Sequence, residues 1–168
     1  EEFKEVVKYA CRGGKKLRWI LALEFYLTLS WKEFSELKHD DDVMKLCIAI
    51  EMIHAFSLVH DDMPCMDNDE LRRGELTVWK KFGQYNAILA GDMLNTLGFE
   101  ILSDIKDARI SQDISKLISH AIGFYGMVGW QVEDMYFEEK IAKLDEQILR
   151  ELHYKKTWKL IEASILGG

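Results

Sequence analysis

The chain is 168 residues long with 48% hydrophobic content, enough apolar material to bury the core of one domain, which excludes a disordered chain. Its 29 acidic and 22 basic side chains leave a net charge of -7, which argues against a nucleic-acid-binding face. With one proline in the whole chain and apolar residues recurring mostly at three- and four-residue steps, an all-α domain is expected.

Cys11, Cys47 and Cys65 are odd in number and show neither CxxC spacing nor a dense framework, so a reducing compartment, the cytoplasm, is expected. The most apolar stretch, Trp19 to Trp31, is too short to span a bilayer and carries Glu24, and no transmembrane segment or secretory signal is predicted. The chain opens on Glu1 and ends at Gly167-Gly168 directly after an apolar run. The expectation is of a single helical domain over residues 1–168 that is cut rather than finished.

In chain order, residues 16–31 are predicted as a buried helix after the glycine pair Gly13-Gly14. The acidic run Asp40-Asp41-Asp42 offers an N-cap for a helix from about Val43. That helix should stop near Met63, because the residue before Pro64 is pushed out of the α region. A strong helix follows over roughly Tyr85 to Ser103, then others at about 111–137 and 145–166, the last capped by Asp145.

On the 43–63 helix, Cys47, Ile50, His54, Ser57 and Asp61 fall at three- and four-residue steps and so share a face. Asp61 and Asp62 occupy its last turn, where the macrodipole disfavours carboxylates, and Asp67 and Asp69 follow just beyond Pro64. No lysine or arginine stands among these acids; a bound cation would offset their repulsion. Magnesium suits, since it takes one or two carboxylates and completes its shell with water and phosphate oxygens. The bland alternative is a solvated acidic loop. Against it stand Arg72-Arg73-Gly74 directly afterwards and Gly13-Gly14-Lys15-Lys16-Leu17-Arg18 upstream: acid for metal and base for phosphate are the two halves of a diphosphate site.

The run from His54 through Asp61-Asp62-Met63-Pro64-Cys65-Met66-Asp67 to Leu71-Arg72-Arg73-Gly74 resembles the first aspartate-rich motif of trans-polyprenyl diphosphate synthases, and most of all that of bacterial farnesyl diphosphate synthases. The likeness extends from Gly13-Gly14-Lys15 through Asn86-Ala87-Ile88-Leu89-Ala90-Gly91-Asp92 to Lys156-Thr157. It implies an antiparallel helical bundle of the isoprenoid synthase type, and a prenyltransferase joining isopentenyl diphosphate to dimethylallyl or geranyl diphosphate. Carried over by position, Asp61 and Asp67 would hold magnesium with Asp62 beside them. Arg72 would bind the allylic diphosphate, while Lys15, Arg18, His54 and Arg73 would hold isopentenyl diphosphate. Lys156, Thr157 and Gln131 would face the allylic substrate, and Phe56, with Ser57, would set chain length as a floor favouring farnesyl diphosphate over geranylgeranyl or longer products. The resemblance also implies a homodimer, with Leu89, Leu94, Leu97 and Ile101 as interface or core.

Independently of the resemblance, Leu149, Leu152, Lys156 and Leu160 form one helical stripe that would turn Lys156 inward. The chain departs from the family's pattern at Gly129-Trp130-Gln131 and at Trp158-Lys159, where glycine or alanine is usual. The family's second aspartate-rich motif is not in these residues, so the chain alone is expected to bind diphosphates weakly, turn over little and tend to aggregate. The implied chemistry begins with loss of the allylic diphosphate to leave a carbocation, which the double bond of isopentenyl diphosphate attacks before a proton is lost. No catalytic triad, P-loop or GxGxxG is found. Two other readings are an all-α metal phosphohydrolase pairing His60 with Asp61, which leaves Arg72, Arg73 and Lys15 without roles, and a non-catalytic helical partner subunit.

Overall fold

The computed structural model describes residues 2–39, 41–140 and 158–168. As expected, the architecture is all-α. Helices α1 (Glu2–Ala10), α2 (Leu17–Ser30) and α3 (Asp42–Asp61) are followed by a hairpin of β1 (Leu71–Arg72) and β2 (Glu75–Leu76), then by α4 (Val78–Phe82), α5 (Gln84–Ser103), α6 (Ala108–Ile122) and α7 (Met127–Lys140). Residues 158–167 are helical again.

α3 is the central element. Its Leu46, Ile50 and Ile53 are almost wholly buried together with Ala22 and Leu23 of α2, Leu102 of α5, Ile118 of α6 and Leu160. A smaller cluster of Val6, Val59, Met63, Val78, Ala87 and Ala90 closes the other end of α3 against α1, α4 and α5. Among the described residues, α3 and not the Trp19–Trp31 stretch is the helix that length and composition would allow to cross a membrane, with an 18-residue window at a mean hydropathy of 1.5. Its packing between α2 and α5 accounts for that composition as a core helix.

Two glycines let α5 lie close to α3. A Cβ at Gly98 would stand 2.7 Å from Ile53 Cγ1, and one at Gly91 would fall on the His60 ring. Substitution at either position would force the helices apart or displace those side chains.

The predicted helix starts and stops hold with two corrections. Asp41 is the N-cap residue of α3 by position, but its side chain makes no capping bond; its carboxylate accepts instead from the Lys38 N–H at 2.9 Å. The predicted helix at 111–137 is two helices, broken at residues 123–126. A Cβ at Gly126 would fall on the Ala121 carbonyl and one at Gly129 on that of Phe124, so the glycines permit a tight fold-back that the apolar periodicity conceals. α1, α4 and the hairpin lie outside the predicted elements. Asp145 and the start of the predicted 145–166 helix lie outside the described residues.

Candidate functional site

The acidic site forms where α3 runs out. The chain turns at Pro64 and folds back, so that the Asp67 N–H donates to the Asp61 carbonyl at 2.9 Å and the Asn68 N–H to that of Met63 at 3.0 Å. This satisfies carbonyls that the helix end leaves orphaned and brings Asp67 beside the last turn. Asn68, at φ 53°, supplies the left-handed residue the turn needs. Further on, the Asp69 carbonyl accepts from Thr77 Oγ1 and from Trp79 Nε1, both at 2.8 Å. The acidic loop is thus pinned at both ends.

The fold corrects one inference from spacing. Although no cation stands among the acids in sequence, the hairpin returns Arg72 to them. Its Nε donates to both Asp62 oxygens at 2.7 and 3.0 Å, and its Nη2 also reaches Asp62. Arg73 and Gly74 form the two-residue turn, at φ 56° and 83°, the positive values such a tight hairpin requires. Asp62 is buried, and burial lifts its carboxyl above the usual range, with Arg72 opposing and Asp69 and Asp67 adding to the rise. Arg72 is held more firmly charged, first by its bond to Asp62 and also by the Asp61 and Asp69 charges. The four acids are therefore gathered as predicted, with Asp62 tied to Arg72 and Asp67 and Asp69 facing solvent.

On one side of α3 lies a cavity of about 510 Å³ lined by the loop from Cys11 to Lys16 together with Arg18, Glu51, His54 and Arg73. Gly13 and Gly14 both have positive φ, and a Cβ at Gly14 would fall on the Arg73 guanidinium. Arg18 Nη1 lies 3.1 Å from His54 Nε2; arginine has only donors, so the imidazole nitrogen accepts. Burial first, then the Arg18 and Arg73 charges, push the His54 pKa down to about 3. His54 is thus neutral and orients Arg18 rather than adding a cation. Lys16, whose Nζ donates to the Cys11 carbonyl at 3.1 Å, also pairs with Glu51 at 3.0 Å. Lys16 was noted only within the basic run, and Glu51 was not singled out from the sequence. The lone carboxylate on this part of α3, opposite a basic loop, was the available signal.

On the other side is a cavity of about 480 Å³ lined by Phe56, Ser57, His60, Asp61, Met66 and, from α7, Met127, Val128, Gln131, Val132, Met135 and Tyr136. Gln131 is 7% exposed, and both polar atoms of its amide are buried without a hydrogen-bond partner. Buried amides are rarely left so. The shared face inferred for His54, Ser57 and Asp61 is thus a ridge: His54 lines the basic cavity, Ser57 and Asp61 the apolar one.

Of the predicted site residues, Lys15, Arg18, His54 and Arg73 come together around the first cavity, and Phe56, Ser57, Asp61 and Gln131 around the second. Asp62 and Arg72 line a third space of about 220 Å³ between α1 and the hairpin, which Arg73, Gly13 and Gly14 share with the basic cavity. Lys156 and Thr157 lie outside the described residues. The phosphohydrolase pairing is not supported: the His60 ring turns to α5, with Nε2 3.1 Å from the Ile88 carbonyl. Among the described residues no three His, Cys, Asp or Glu side chains converge on a cage for a metal. An ion held by one or two carboxylates and completed by phosphate oxygens needs none.

A helical bundle whose central helix ends in carboxylates and separates a basic cavity from an apolar one agrees with the all-α isoprenoid synthase type that the resemblance implied. The polyprenyl synthetase family model matches residues 1–168, and the chain belongs to that family. It is 49% identical over 170 residues to the farnesyl diphosphate synthase of Escherichia coli (strain K12), a match covering 98% of this chain and 54% of that protein. Among solved structures it is similar to an FPP/GFPP synthase from Zymomonas mobilis in its apo form, with a TM-score of 0.86 and 36% identity over 98% of this chain and 58% of that one. It is also similar to a geranyltransferase from Helicobacter pylori complexed with magnesium and isoprenyl diphosphate, with a TM-score of 0.84 and 37% identity over 98% of this chain and 53% of that one. The chain therefore spans about half the length of the relatives it matches.

Proposed function

We propose that residues 1–168 belong to one helical domain of a magnesium-dependent prenyltransferase that condenses isopentenyl diphosphate with dimethylallyl or geranyl diphosphate to give farnesyl diphosphate. The observation that carries the reading is the two-sided construction of α3, with a basic cavity on one flank and an apolar cavity headed by Asp61 on the other. A diphosphate needs cationic donors and an isoprenoid tail needs an apolar channel.

In this reading Lys15, Arg18 and Arg73 grip the isopentenyl diphosphate head while neutral His54 orients Arg18. Asp61 and Asp67 are the magnesium ligands, since Asp67 is bonded back to the last turn of α3 whereas Asp62 is occupied by Arg72. The similarity to a protein complexed with magnesium supports the choice of ion. Bound magnesium would supply neutralising charge for the leaving diphosphate. Asp62 aims Arg72, whose Nη1 edge is left for the allylic diphosphate. The unpartnered Gln131 amide faces the same cavity as Asp61. Lys156 and Thr157 are proposed on the resemblance alone.

Phe56 lies five residues before Asp61, about 7.5 Å lower along a helix, and its ring in the cavity wall supports the fifteen-carbon product. A longer product is the second reading, supported by the FPP/GFPP description of the Zymomonas mobilis relative. The test of the site is Arg18→Met in the full-length enzyme. It should raise KM for isopentenyl diphosphate by about tenfold or more, as loss of a charged hydrogen bond does, while KM for geranyl diphosphate stays near the parental value. Equal rises for both substrates would defeat the assignment of the basic cavity.

A further inference from the structure

Between the acidic rim and Phe56 stands His60, which neither diphosphate uses in the reading above. His60 lies a helical turn beyond Phe56 on α3, and the two rings meet edge to face at 5.2 Å with an interplanar angle of 87°. The imidazole is itself fixed from α5 in three ways. Its Nε2 lies 3.1 Å from the Ile88 carbonyl, to which it donates. Asp92 Oδ1 stands 3.8 Å from the same nitrogen. Gly91 leaves the space the ring fills, since a Cβ there would fall on Nε2 and Cδ2. His60 and Phe56 both line the apolar cavity.

We propose that His60 is a positioning residue for product length: braced on Gly91 and Ile88 of α5, its ring fixes the Phe56 ring across the apolar cavity. Phe56 is only partly buried and packs against the core from its edge. Without the His60 ring, its side chain could turn to another rotamer and open the floor. An aromatic pair of this kind shifts such a population by roughly twofold to tenfold. On this account Gly91 is glycine because α5 must come close enough to brace the imidazole, which extends the determinants of chain length onto a second helix.

The proposal rests on the reading of Phe56 as a floor, so the test carries both. In the full-length enzyme supplied with isopentenyl and geranyl diphosphates, the ratio of twenty-carbon to fifteen-carbon product is measured for Phe56→Ala, His60→Gln and Gly91→Ala. His60→Gln keeps a donor for the Ile88 carbonyl and removes the ring, and Gly91→Ala displaces the ring from the α5 side without altering α3. Both should raise the ratio roughly twofold to tenfold, below the rise given by Phe56→Ala. A purely structural role would lower total turnover and melting temperature and leave the ratio unchanged. A raised ratio for Phe56→Ala with parental ratios for whichever of the other two fold overturns the positioning role and spares the floor. A parental ratio for Phe56→Ala overturns both.

Discussion

At the residue scale, His54 departs far from its ordinary chemistry. Its pKa is 6.5 in an unperturbed chain and is pushed to about 3 in the fold by burial and by the surrounding guanidinium and ammonium groups. The unfolded chain therefore takes up a proton that the folded one refuses. His54 leaves stability unchanged above about pH 6.5 and lowers it as the pH falls from there toward 3, by about 1 kcal/mol per pH unit. Urea titrations across that window should give a shallower loss for His54→Gln than for the parent. Parallel losses would show that His54 takes up its proton in the folded state. The sequence placed His54 on the α3 stripe, and its role at the site came from the resemblance. Its neutrality was not legible there, because it depends first on the burial that the fold gives the ring and then on the Arg18 and Arg73 charges brought beside it. The Asp62–Arg72 pair was hidden for the same reason, since it depends on a hairpin formed by Arg73 and Gly74.

At the scale of elements, α5 has two faces with different work. The inner one carries Gly91, Leu94 and Gly98 against α3, while Tyr85, Ile88, Leu89 and Met93 are exposed on the outer one, Leu89 by 50%. Of the four residues offered as interface or core, Leu94 is core at 0% exposure, and Leu97 and Ile101 are half-buried. Leu89 is left as the candidate for an interface. An apolar stripe of this kind is the centre a symmetric dimer would use, given about 800 Å² from each partner. If the homodimer implied by the resemblance forms, the full-length protein should sediment at twice the monomer mass, and Leu89→Glu should shift it toward monomer. A parental monomer would contradict the dimer. Helices α2, α3 and α5 were legible from apolar spacing, Pro64 and the acidic run. α1 was equally legible, with Phe3, Val6, Val7 and Ala10 at helical steps, but is not among the predicted elements. The break between α6 and α7 was masked by apolar residues on both sides, and its signal was the three glycines at 123, 126 and 129.

For the whole molecule, the account makes α3 a partition, placing a diphosphate head on its basic flank and an isoprenoid tail on its apolar flank. Catalysis then depends on the carboxylates at its end, because ionising an allylic diphosphate requires its developing charge to be neutralised. The most direct test is synthesis of farnesyl diphosphate from geranyl and isopentenyl diphosphates by the full-length enzyme, with and without magnesium, beside Asp61→Ala and Asp67→Ala. The account predicts that product forms only with magnesium, and that each variant stays folded but loses about a hundredfold or more in rate. Synthesis at the parental rate without magnesium, or by either aspartate variant, would contradict it.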